Sequence, residues 1–330
     1  PSVGSVVVKN DTIISTGVTS INGRPHSEHN ALRKIKRNIG AFLYTTLEPC
    51  THIGKTPPCV NLIIKKKIKK VFYASEDPDT RTYQKAKKIL NSKGVKTEFI
   101  KSKKYKNFYK SYFLNKKNKI PFIDAKIAIS KDFFTISKKN KWITNSRSRK
   151  VSHLIRSKYD CIISTSTSIN KDNALLNCRI KGLNNFQPDL VVIDRKLKLK
   201  KDLALFNLSK KRKSYLLTTS NDVKKISFFK KKKIKIIKIN SLSTKNNFLD
   251  FFRKLFQIGK RRVLIESGLI FLNQLLKMNL VNNVYVFKSN TKLKSNGYNN
   301  SKKNLIKNLK ILKQVNVNLN NDKLLKARIH

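Results

Sequence analysis

Short runs of β-forming residues alternate with helical segments along most of this chain, and that alternation limits the folds open to it. In the first half, strand-like runs, such as 41–46 and 71–75, alternate with segments of helical spacing, such as 105–116. Strands that alternate with helices form a sheet with helices packed on its faces. The pattern predicts a three-layer α/β domain, and a second α/β domain in which 189–194 forms a strand buried on both faces.

The boundary between the two domains is expected in the lysine-rich stretch 116–119, just before a strand begins. The length of 330 residues suits two ordinary domains, because a single core rarely grows past about 250–300 residues. We therefore expect one domain at 1–117 and another at 119–330. The chain opens with Pro1 and no initiator Met, so we expect its natural start, and an N-terminal helix, to lie upstream.

Basic residues dominate the composition, with 74 Lys and Arg against 18 Asp and Glu and a formal net charge of +56. A charge of this size is usual in nucleic-acid-binding proteins. Here the lysines are spread over many separate segments, and arginine, which reads phosphate and guanine with two parallel hydrogen bonds, is scarce. Lys, Asn and Ile share A/T-rich codons, which accounts for the excess. We expect no specific nucleic-acid partner, although the charge attracts anionic small molecules.

Neither a membrane nor an oxidising compartment is expected from the sequence. No apolar run approaches the ~20 residues needed to cross a bilayer, and no signal peptide is recognisable. Four cysteines are too few for a disulfide framework in a chain of this length, which favours a reducing cytoplasm. Cys161 and Cys178 are interpreted as structural. Cys50 and Cys59 lie among Pro and His residues, a setting typical of metal ligands.

His26, Cys50 and Cys59 each lie where a loop leads into a predicted helix. One imidazole and two thiolates are the ligands Zn²⁺ takes when it keeps a fourth position for water, and helix starts favour the thiolate form of cysteine. Glu28 is placed to take a proton from that water and deliver it to a leaving amine. The His-x-Glu pair alone, or the two cysteines alone, would be compatible with buried structural residues. Together, His-x-Glu followed by Pro-Cys and a second Cys match the zinc nucleobase deaminases.

Longer motifs around these residues resemble one enzyme family. The segments His-Ser-Glu-His-Asn-Ala-Leu at 26–32 and Thr-Leu-Glu-Pro-Cys-Thr-His-Ile-Gly-Lys-Thr-Pro-Pro-Cys at 46–59 are similar to the bifunctional riboflavin-biosynthesis deaminase/reductases. The eight residues between the two cysteines exceed the general deaminase spacing but are typical of that family. Matches in the second half include Trp-Ile-Thr at 142–144 and Val-Ile-Asp at 192–194.

The resemblance implies a cytidine-deaminase-like fold for the first domain and a dihydrofolate-reductase-like fold for the second. It implies two consecutive reactions on a phosphorylated pyrimidine. Zinc-dependent hydrolysis removes the 2-amino group of a diaminopyrimidinone that carries a phosphoribosylamino substituent, and NADPH then reduces the opened ribose to a ribityl chain. Matching position by position, the resemblance makes Glu28 the proton shuttle and His26, Cys50 and Cys59 the zinc ligands.

In the second half the resemblance assigns two sets of contact positions. The nucleotide-contacting positions are Ala128, Trp142, Ser168, Asp172 and Gly268. The substrate-contacting positions are Asn140, Arg156, Leu176, Arg179 and Glu266. Arginine suits a phosphorylated sugar, because its guanidinium offers a planar fork to phosphate oxygens. The implied partners are a phosphorylated pyrimidine substrate and a second copy of the chain, bound through the reductase half.

Three departures from the family pattern fall in the second half. Ser267 stands where the family has a first glycine, Phe133 stands where a glycine is usual, and Asn282-Asn283 replaces an acidic pair. An active deaminase with a degenerate reductase half is therefore one alternative. A basic RNA-associated protein with a deaminase-like domain is another, and it predicts clustered arginines or stacking aromatic residues near the zinc pocket.

Overall fold

The structure is a computed structural model, and it describes residues 1–36, 40–54, 56–183, 187–208 and 212–329. The chain divides into two compact units, Pro1–Lys119 and Ile120–His330. Each unit has its own sheet and its own apolar clusters, and the predicted α/β class is confirmed for both. Across the described ranges, no helix is both long and apolar enough to span a bilayer.

The first unit is built on a five-stranded sheet in the order β2-β1-β3-β4-β5. Its strands are β1 (Gly4–Lys9), β2 (Thr12–Val18), β3 (Phe42–Thr45), β4 (Lys70–Tyr73) and β5 (Lys96–Phe99). Its helices are α1 (Ser27–Leu32), α2 (Cys59–Lys65), α3 (Lys85–Asn91), α4 (Lys103–Phe108) and α5 (Lys110–Asn118). β1 runs antiparallel to β2 and β3, whereas β3, β4 and β5 are parallel. One apolar cluster joins this sheet to α1, α2 and α3.

The prediction of a single helix over 105–116 is wrong. α4 ends at Phe108 and α5 begins at Lys110, with Tyr109 between them at φ −84° and ψ 2°. Tyr109 is buried, and its hydroxyl lies 2.6 Å from Thr46 Oγ1 and 3.0 Å from the Ser2 carbonyl oxygen, to which it donates. A buried hydroxyl needs such partners, whereas local helix propensity is a weak constraint. The tertiary contacts of one tyrosine therefore coincide with the break.

The second unit is built on a nine-stranded sheet in the order β11-β10-β9-β8-β12-β6-β13-β16-β15. Its strands are β6 (Phe122–Ile129), β8 (Cys161–Thr165), β9 (Asp189–Ile193), β10 (Ser214–Thr218), β11 (Ile234–Lys238), β12 (Arg262–Ile265), β13 (Asn283–Lys288), β15 (Ile311–Gln314) and β16 (Lys323–Arg328). A separate two-stranded sheet pairs β7 (Ile136–Ser137) with β14 (Gly297–Tyr298). The helices are α6 (Ser146–Arg156), α7 (Ser166–Asp172), α8 (Val223–Lys231), α9 (Lys245–Gln257) and α10 (Leu269–Lys277).

Apolar clusters cover both faces of this sheet. Successive side chains of a strand point to opposite faces, and in β9 Val191 belongs to one cluster while Leu190 and Val192 belong to the other. Every residue of β9 is buried, as its run of apolar residues predicts. From β11 to β13 in the sheet order all neighbouring strands are parallel. Their carboxyl ends therefore meet at one edge of the sheet, where open α/β sheets bind ligands.

Candidate active sites

His26, Cys50 and Cys59 come together in the first unit, with one ligand atom from each within 4.8 Å of the others. His26 Nδ1 lies 3.3 Å from Cys59 Sγ and 3.4 Å from Cys50 Sγ. In a tetrahedral zinc site with ordinary bond lengths, a nitrogen and a sulfur ligand lie about 3.6 Å apart. The donor types and their separations therefore fit a zinc ion. Among the residues the structure describes, this is the only group of three or more His, Cys, Asp or Glu with metal-ligand spacing.

Two of these side chains are placed by helix starts. His26 is the residue that caps α1, and Cys59 is the first residue of α2, whose backbone N–H donates to Cys50 Sγ over 3.3 Å. Hydrogen bonds from Cys59 and His26 lower the pKa of Cys50 to about 4 against the opposing effect of burial. The hydrogen bond to Cys50 and burial raise the pKa of the Cys59 thiol. Without a metal the pair therefore retains one proton, which a divalent cation would displace.

Glu28 lies in the first turn of α1 and is 3% exposed. The Ser27 hydroxyl donates to Glu28 Oε2 over 2.9 Å and lies 2.8 Å from the Ser5 hydroxyl. Burial raises the pKa of Glu28, and the charges of Cys50 and His26 act on it in opposite directions. A carboxyl group with a raised pKa, oriented by a serine and close to the triad, is suited to accept a proton and to return it.

Glu48, two residues before Cys50, was not predicted as a site residue. It is 2% exposed, and its Oε2 accepts the backbone N–H groups of Asp77 and Gln84, each over 3.2 Å, while Oε1 accepts that of Ala86 over 3.1 Å. The carboxylate thus anchors the loop after β4 and the start of α3 beside the Cys50 loop. Its signal in the sequence was an acidic residue between a leucine and a proline, next to a metal ligand.

A cavity of about 440 Å³ lies where β8, β9 and β12 end in the second unit. Its lining includes Thr165, Ser166, Ser168, Asp194, Arg195, Lys196, Lys198, Ser267, Gly268 and Asn300. The Gly268 backbone N–H donates to Ser168 Oγ over 3.1 Å, and a Cβ at Gly268 would lie 3.3 Å from Asn300 Nδ2. The phosphates of a dinucleotide could bind to these hydroxyl groups, to the backbone at Gly268, which leaves room for close approach, and to the three cations Arg195, Lys196 and Lys198. The residues present therefore fit NADPH.

Arg156 and Glu266, both expected to contact substrate, form a bidentate ion pair with distances of 2.6 Å (Nε to Oε1) and 2.9 Å (Nη2 to Oε2). Lys126 Nζ lies 3.7 Å from Glu266 Oε2. Although burial opposes ionisation, the charges of Arg156 and Lys126 lower the pKa of Glu266 to about 2. Lys126 was not predicted as a site residue, and its signal was a lysine in the middle of the mostly apolar strand β6.

A second cavity, of about 490 Å³, adjoins this ion pair. It is lined by Asn177, Cys178, Arg179, Lys181, Gln187, Leu208 and Arg212. The Asn177 carbonyl oxygen accepts a hydrogen bond from Arg156 Nη1 over 3.1 Å and lies 2.7 Å from His153 Nδ1. Burial and the charge of Arg156 lower the pKa of His153 to about 4. Two expected substrate contacts, Leu176 and Arg179, flank this carbonyl.

Four of the expected contact positions neither line a cavity nor belong to the ion pair or the turn beside it. Besides Arg156, Leu176 and Glu266, the expected positions that line neither cavity are Ala128, Asn140, Trp142 and Asp172. Asn140, Trp142 and Asp172 are exposed, and the Arg149 guanidinium lies 5.1 Å from the Trp142 ring centroid. Ala128 is half-buried on β6. Lys55, within the motif that joins the two cysteines, lies outside the described residues.

Two of the departures from the family pattern are packing features away from the cavities. Phe133 keeps the left-handed conformation of a glycine, with φ +68°, and its ring centroid lies 4.3 Å from Lys288 Nζ. Asn283 Nδ2 donates to the buried Asp124 carboxylate over 2.7 Å, and Asn282 Oδ1 accepts the Ile123 backbone N–H over 2.8 Å. Ser267 alone lines a cavity, where its hydroxyl lies 3.2 Å from that of Thr165.

Family models match both units. The RibD C-terminal domain matches residues 121–289, and the zinc-binding region of cytidine and deoxycytidylate deaminases matches residues 1–75. The riboflavin biosynthesis protein RibD of Actinobacillus pleuropneumoniae is 31% identical over 291 residues, which cover 87% of this chain and 77% of that protein. RibD of Aquifex aeolicus is 28% identical over 291 residues, covering 87% and 80%. These matches confirm a deaminase-like first domain and a reductase-like second domain.

Solved structures share the architecture over nearly the whole chain. Acinetobacter baumannii RibD, form 1, is 25% identical with a TM-score of 0.82, over 99% of this chain and 91% of that one. A diaminohydroxyphosphoribosylaminopyrimidine deaminase/5-amino-6-(5-phosphoribosylamino)uracil reductase from Thermotoga maritima is 25% identical with a TM-score of 0.80 over the same shares. The yeast riboflavin biosynthesis reductase Rib7, 21% identical with a TM-score of 0.52, shares the fold over 68% of this chain.

Proposed function

Because the chain belongs to the family of bifunctional riboflavin-biosynthesis deaminase/reductases, we propose that residues 1–117 carry its zinc-dependent deaminase and residues 119–330 its NADPH-dependent reductase. The observation that carries this assignment is the zinc-fitting triad of His26, Cys50 and Cys59 beside the buried Glu28 in the first unit. The second unit holds a phosphate-suited cavity lined by Ser267, the residue that follows the buried and ion-paired Glu266, which suits a reductase of a phosphorylated sugar.

The proposed substrate is 2,5-diamino-6-(5-phosphoribosylamino)pyrimidin-4-one. In the first step water adds at C2, the bond to the 2-amino group breaks and ammonia leaves. In the second step the opened ribose receives one hydride and one proton and becomes a ribityl chain. The Thermotoga maritima protein of similar structure is named for the same pair of reactions, which supports this substrate.

In the deaminase site each residue has a distinct task. His26, Cys50 and Cys59 would hold zinc, which would act as a Lewis acid and make a water molecule easier to deprotonate. Glu28 would accept a proton from the attacking water and pass it to the ring nitrogen, and would then carry the proton of the added hydroxyl to the leaving amine. Ser27 keeps the carboxylate of Glu28 oriented through their 2.9 Å hydrogen bond. Glu48 fixes the loop that carries Cys50 through three backbone amides.

In the reductase site the protein binds and orients, because the hydride belongs to NADPH. We assign the cofactor to the cavity at the ends of β8, β9 and β12, where Ser168 and Gly268 approach each other. Arg195, Lys196 and Lys198 are the cations that would bind its phosphates. The substrate would lie against Arg156, whose guanidinium is held in place by both carboxylate oxygens of Glu266.

Metal analysis combined with separate assays of the two steps tests this function. We expect one zinc per chain, ammonia release from the diaminopyrimidinone substrate, and NADPH oxidation on the deaminated product. Protein that binds no zinc and releases no ammonia would contradict the deaminase assignment. NADPH oxidation no faster than background, with ammonia release intact, would instead establish the alternative of a degenerate reductase half. The retained cavity around Ser168 and Gly268 favours two active halves.

Three finer expectations stay predictions of this proposal. They are self-association through the reductase half, the absence of a specific nucleic-acid partner and a cytoplasmic location. The first two can be measured together, by sedimentation of the protein with and without a random RNA at several salt concentrations. Binding that persists at high salt would contradict the second expectation, because non-specific association driven by the net charge is lost as salt rises.

A further inference from the structure

Arg212 lines the 490 Å³ cavity in the second unit, and neither proposed reaction gives this residue a role. It lies two residues before the start of β10 and is only 6% exposed. A guanidinium cannot lose its charge at ordinary pH, so this residue carries a positive charge into the interior. A buried charge is costly unless a partner compensates it.

The partners of Arg212 are backbone carbonyl oxygens. Nη1 donates to the Leu176 carbonyl over 2.7 Å, and Nη2 donates to the Leu175 carbonyl. Within the described ranges, Nε has no hydrogen-bond partner and no carboxylate forms an ion pair with Arg212. Asp189, whose charge acts on Arg212, already pairs with Lys260 and accepts the Lys213 backbone N–H. Among the residues that the structure describes, the positive charge of Arg212 therefore has no counter-charge in direct contact.

Other cations add to this charge at the same cavity. Arg179 and Lys181 line it with Arg212, and none of the described residues that line it is acidic. Arg179 Nη1 donates to Asn177 Oδ1 over 2.8 Å, which holds its guanidinium next to the cavity without neutralising it. Burial and the nearby charge of Arg156 lower the pKa of Arg212 to about 10, as expected for cations crowded together. With three cations and no carboxylate among its described lining residues, this cavity is complementary to a phosphate group.

Backbone strain marks the segment that Arg212 holds. Leu176 has φ +48°, a left-handed conformation that residues other than glycine rarely adopt. Such strain persists only where surrounding structure enforces it, and it clusters at ligand sites. The hydrogen bond from Arg212 to the Leu176 carbonyl is one such constraint. It fixes the turn from which Asn177 and Arg179 project toward the cavity.

We propose that Arg212 is a further phosphate-recognition residue of the reductase unit, and that this cavity receives a phosphate monoester between Arg212 and Arg179. The inference rests on the proposed function, because the ligand we favour is the phosphate of the pyrimidine substrate. The cavity adjoins Arg156 and Glu266 through the Asn177 carbonyl, whereas the residues assigned to NADPH line a different cavity. Free phosphate and the phosphates of NADPH share the same chemistry, and the experiment separates them.

The test compares Arg212→Gln with Arg212→Lys in the full-length protein. Both variants keep a donor for the Leu176 carbonyl, but only the lysine keeps the charge. Arg253→Gln is the matched control, because Arg253 is an exposed arginine of α9 whose partner is Asp250. Michaelis constants are measured for the deaminated substrate with and without its phosphate and for NADPH. Circular dichroism verifies that each variant is folded.

We expect Arg212→Gln to raise KM for the phosphorylated substrate about tenfold, as the loss of a charged interaction should. KM for NADPH, KM for the dephosphorylated substrate and kcat should change far less, and Arg212→Lys should restore most of the loss. A merely structural role predicts that both forms of the substrate are affected equally. That result, or an unchanged KM for the phosphorylated substrate in Arg212→Gln, would overturn the proposal.

Inorganic phosphate provides a second readout. It should inhibit competitively against the pyrimidine substrate and not against NADPH, and Arg212→Gln should raise its inhibition constant while Arg253→Gln does not. Competition against NADPH alone would place phosphate in the other cavity and refute the site. If the wild-type protein oxidises no NADPH, the reductase assignment fails by itself. Calorimetric titration with inorganic phosphate, compared between wild type and Arg212→Gln, then still tests Arg212.

Discussion

Arg156 and Glu266 lie 110 residues apart in the chain and form a bidentate ion pair, with Nε and Nη2 of the arginine at 2.6 Å and 2.9 Å from the two carboxylate oxygens. Their side chains are only 12% and 7% exposed. An ion pair this buried keeps both charges fixed, and loss of one partner leaves the other charge uncompensated. The pair therefore links the stability of the second unit to its expected substrate contacts.

Replacement of Glu266 by Gln should destabilise the second unit by about 3–5 kcal/mol, because Arg156 keeps its charge and loses its partner. Urea unfolding followed by the fluorescence of Trp142, the single tryptophan, measures this effect in the second unit. Asp250→Asn is the control in the same unit, since Asp250 forms an exposed pair with Arg253 that should contribute no more than about 1 kcal/mol. Equal losses of unfolding free energy from the two substitutions would contradict the larger contribution expected of the buried pair.

The same pair predicts acid sensitivity. The pKa of Glu266 is lowered to about 2 from an ordinary value near 4.5, so the stabilisation by the charged form is complete above the ordinary value. It is lost as pH falls from there toward 2. The Glu266→Gln variant should therefore show a flatter decline of unfolding free energy than wild type over this window. A parallel decline in both proteins would contradict the assigned ionisation of Glu266.

His153 should contribute to acid sensitivity at a higher pH. Its pKa is lowered to about 4, so between its ordinary value of 6.5 and about 4 the unfolded chain binds more protons than the folded one. Stability then decreases as pH falls through that window. His153→Gln should lose less unfolding free energy than wild type between these limits, again measured by Trp142 fluorescence. His52→Gln, in the first unit, controls for loss of an imidazole elsewhere, and it should leave the Trp142 transition unchanged.

Glu28→Gln should separate metal binding from catalysis. The ligands His26, Cys50 and Cys59 remain, so zinc content should stay at the wild-type level. Ammonia release should fall by about 10²–10⁴-fold, because the amide cannot accept and return a proton. Cys59→Ala, which removes a ligand, should lose both zinc and activity. Turnover by Glu28→Gln close to that of wild type would remove this carboxyl from the mechanism.

Glu48→Gln should weaken the framework of the deaminase site. The wild-type carboxylate accepts three backbone N–H groups, and an amide would direct its own NH₂ group toward one or more of these donors. We expect a loss of about 1–3 kcal/mol in thermal or urea unfolding of the first unit. Glu76→Gln is the control, because Glu76 accepts a hydrogen bond from the side-chain Nε2 of Gln84 and from no other described residue, and should change stability by no more than about 0.5 kcal/mol. Similar losses in both variants would contradict the anchoring role.

Local sequence patterns predicted the parts of the molecule that depend on short stretches of chain. The alternation of apolar runs predicted the α/β class, because strand and helix periods are encoded within about ten residues. Local patterns also predicted the residue types of the proposed zinc site, since His26 and Cys59 each lie at the start of a helix that is recognisable by itself. The single helix predicted at 105–116 failed where burial of Tyr109, whose partners are Thr46 and Ser2, coincides with a break in the local periodicity.

The sequence alone determined the class of fold and predicted the proposed zinc donor set and the carboxyl beside it, because each is recognisable from short motifs in the chain. Only the tertiary structure decided that Glu48 binds the amide of Ala86, that Lys126 approaches Glu266, and that Arg212 carries its charge to a cavity. These roles arise from burial and from contacts between residues far apart in the chain, such as the 38 positions that separate Glu48 from Ala86 and the 36 that separate Leu176 from Arg212. A charge acquires its chemical task from the neighbours and the exclusion of water that the whole fold imposes on it.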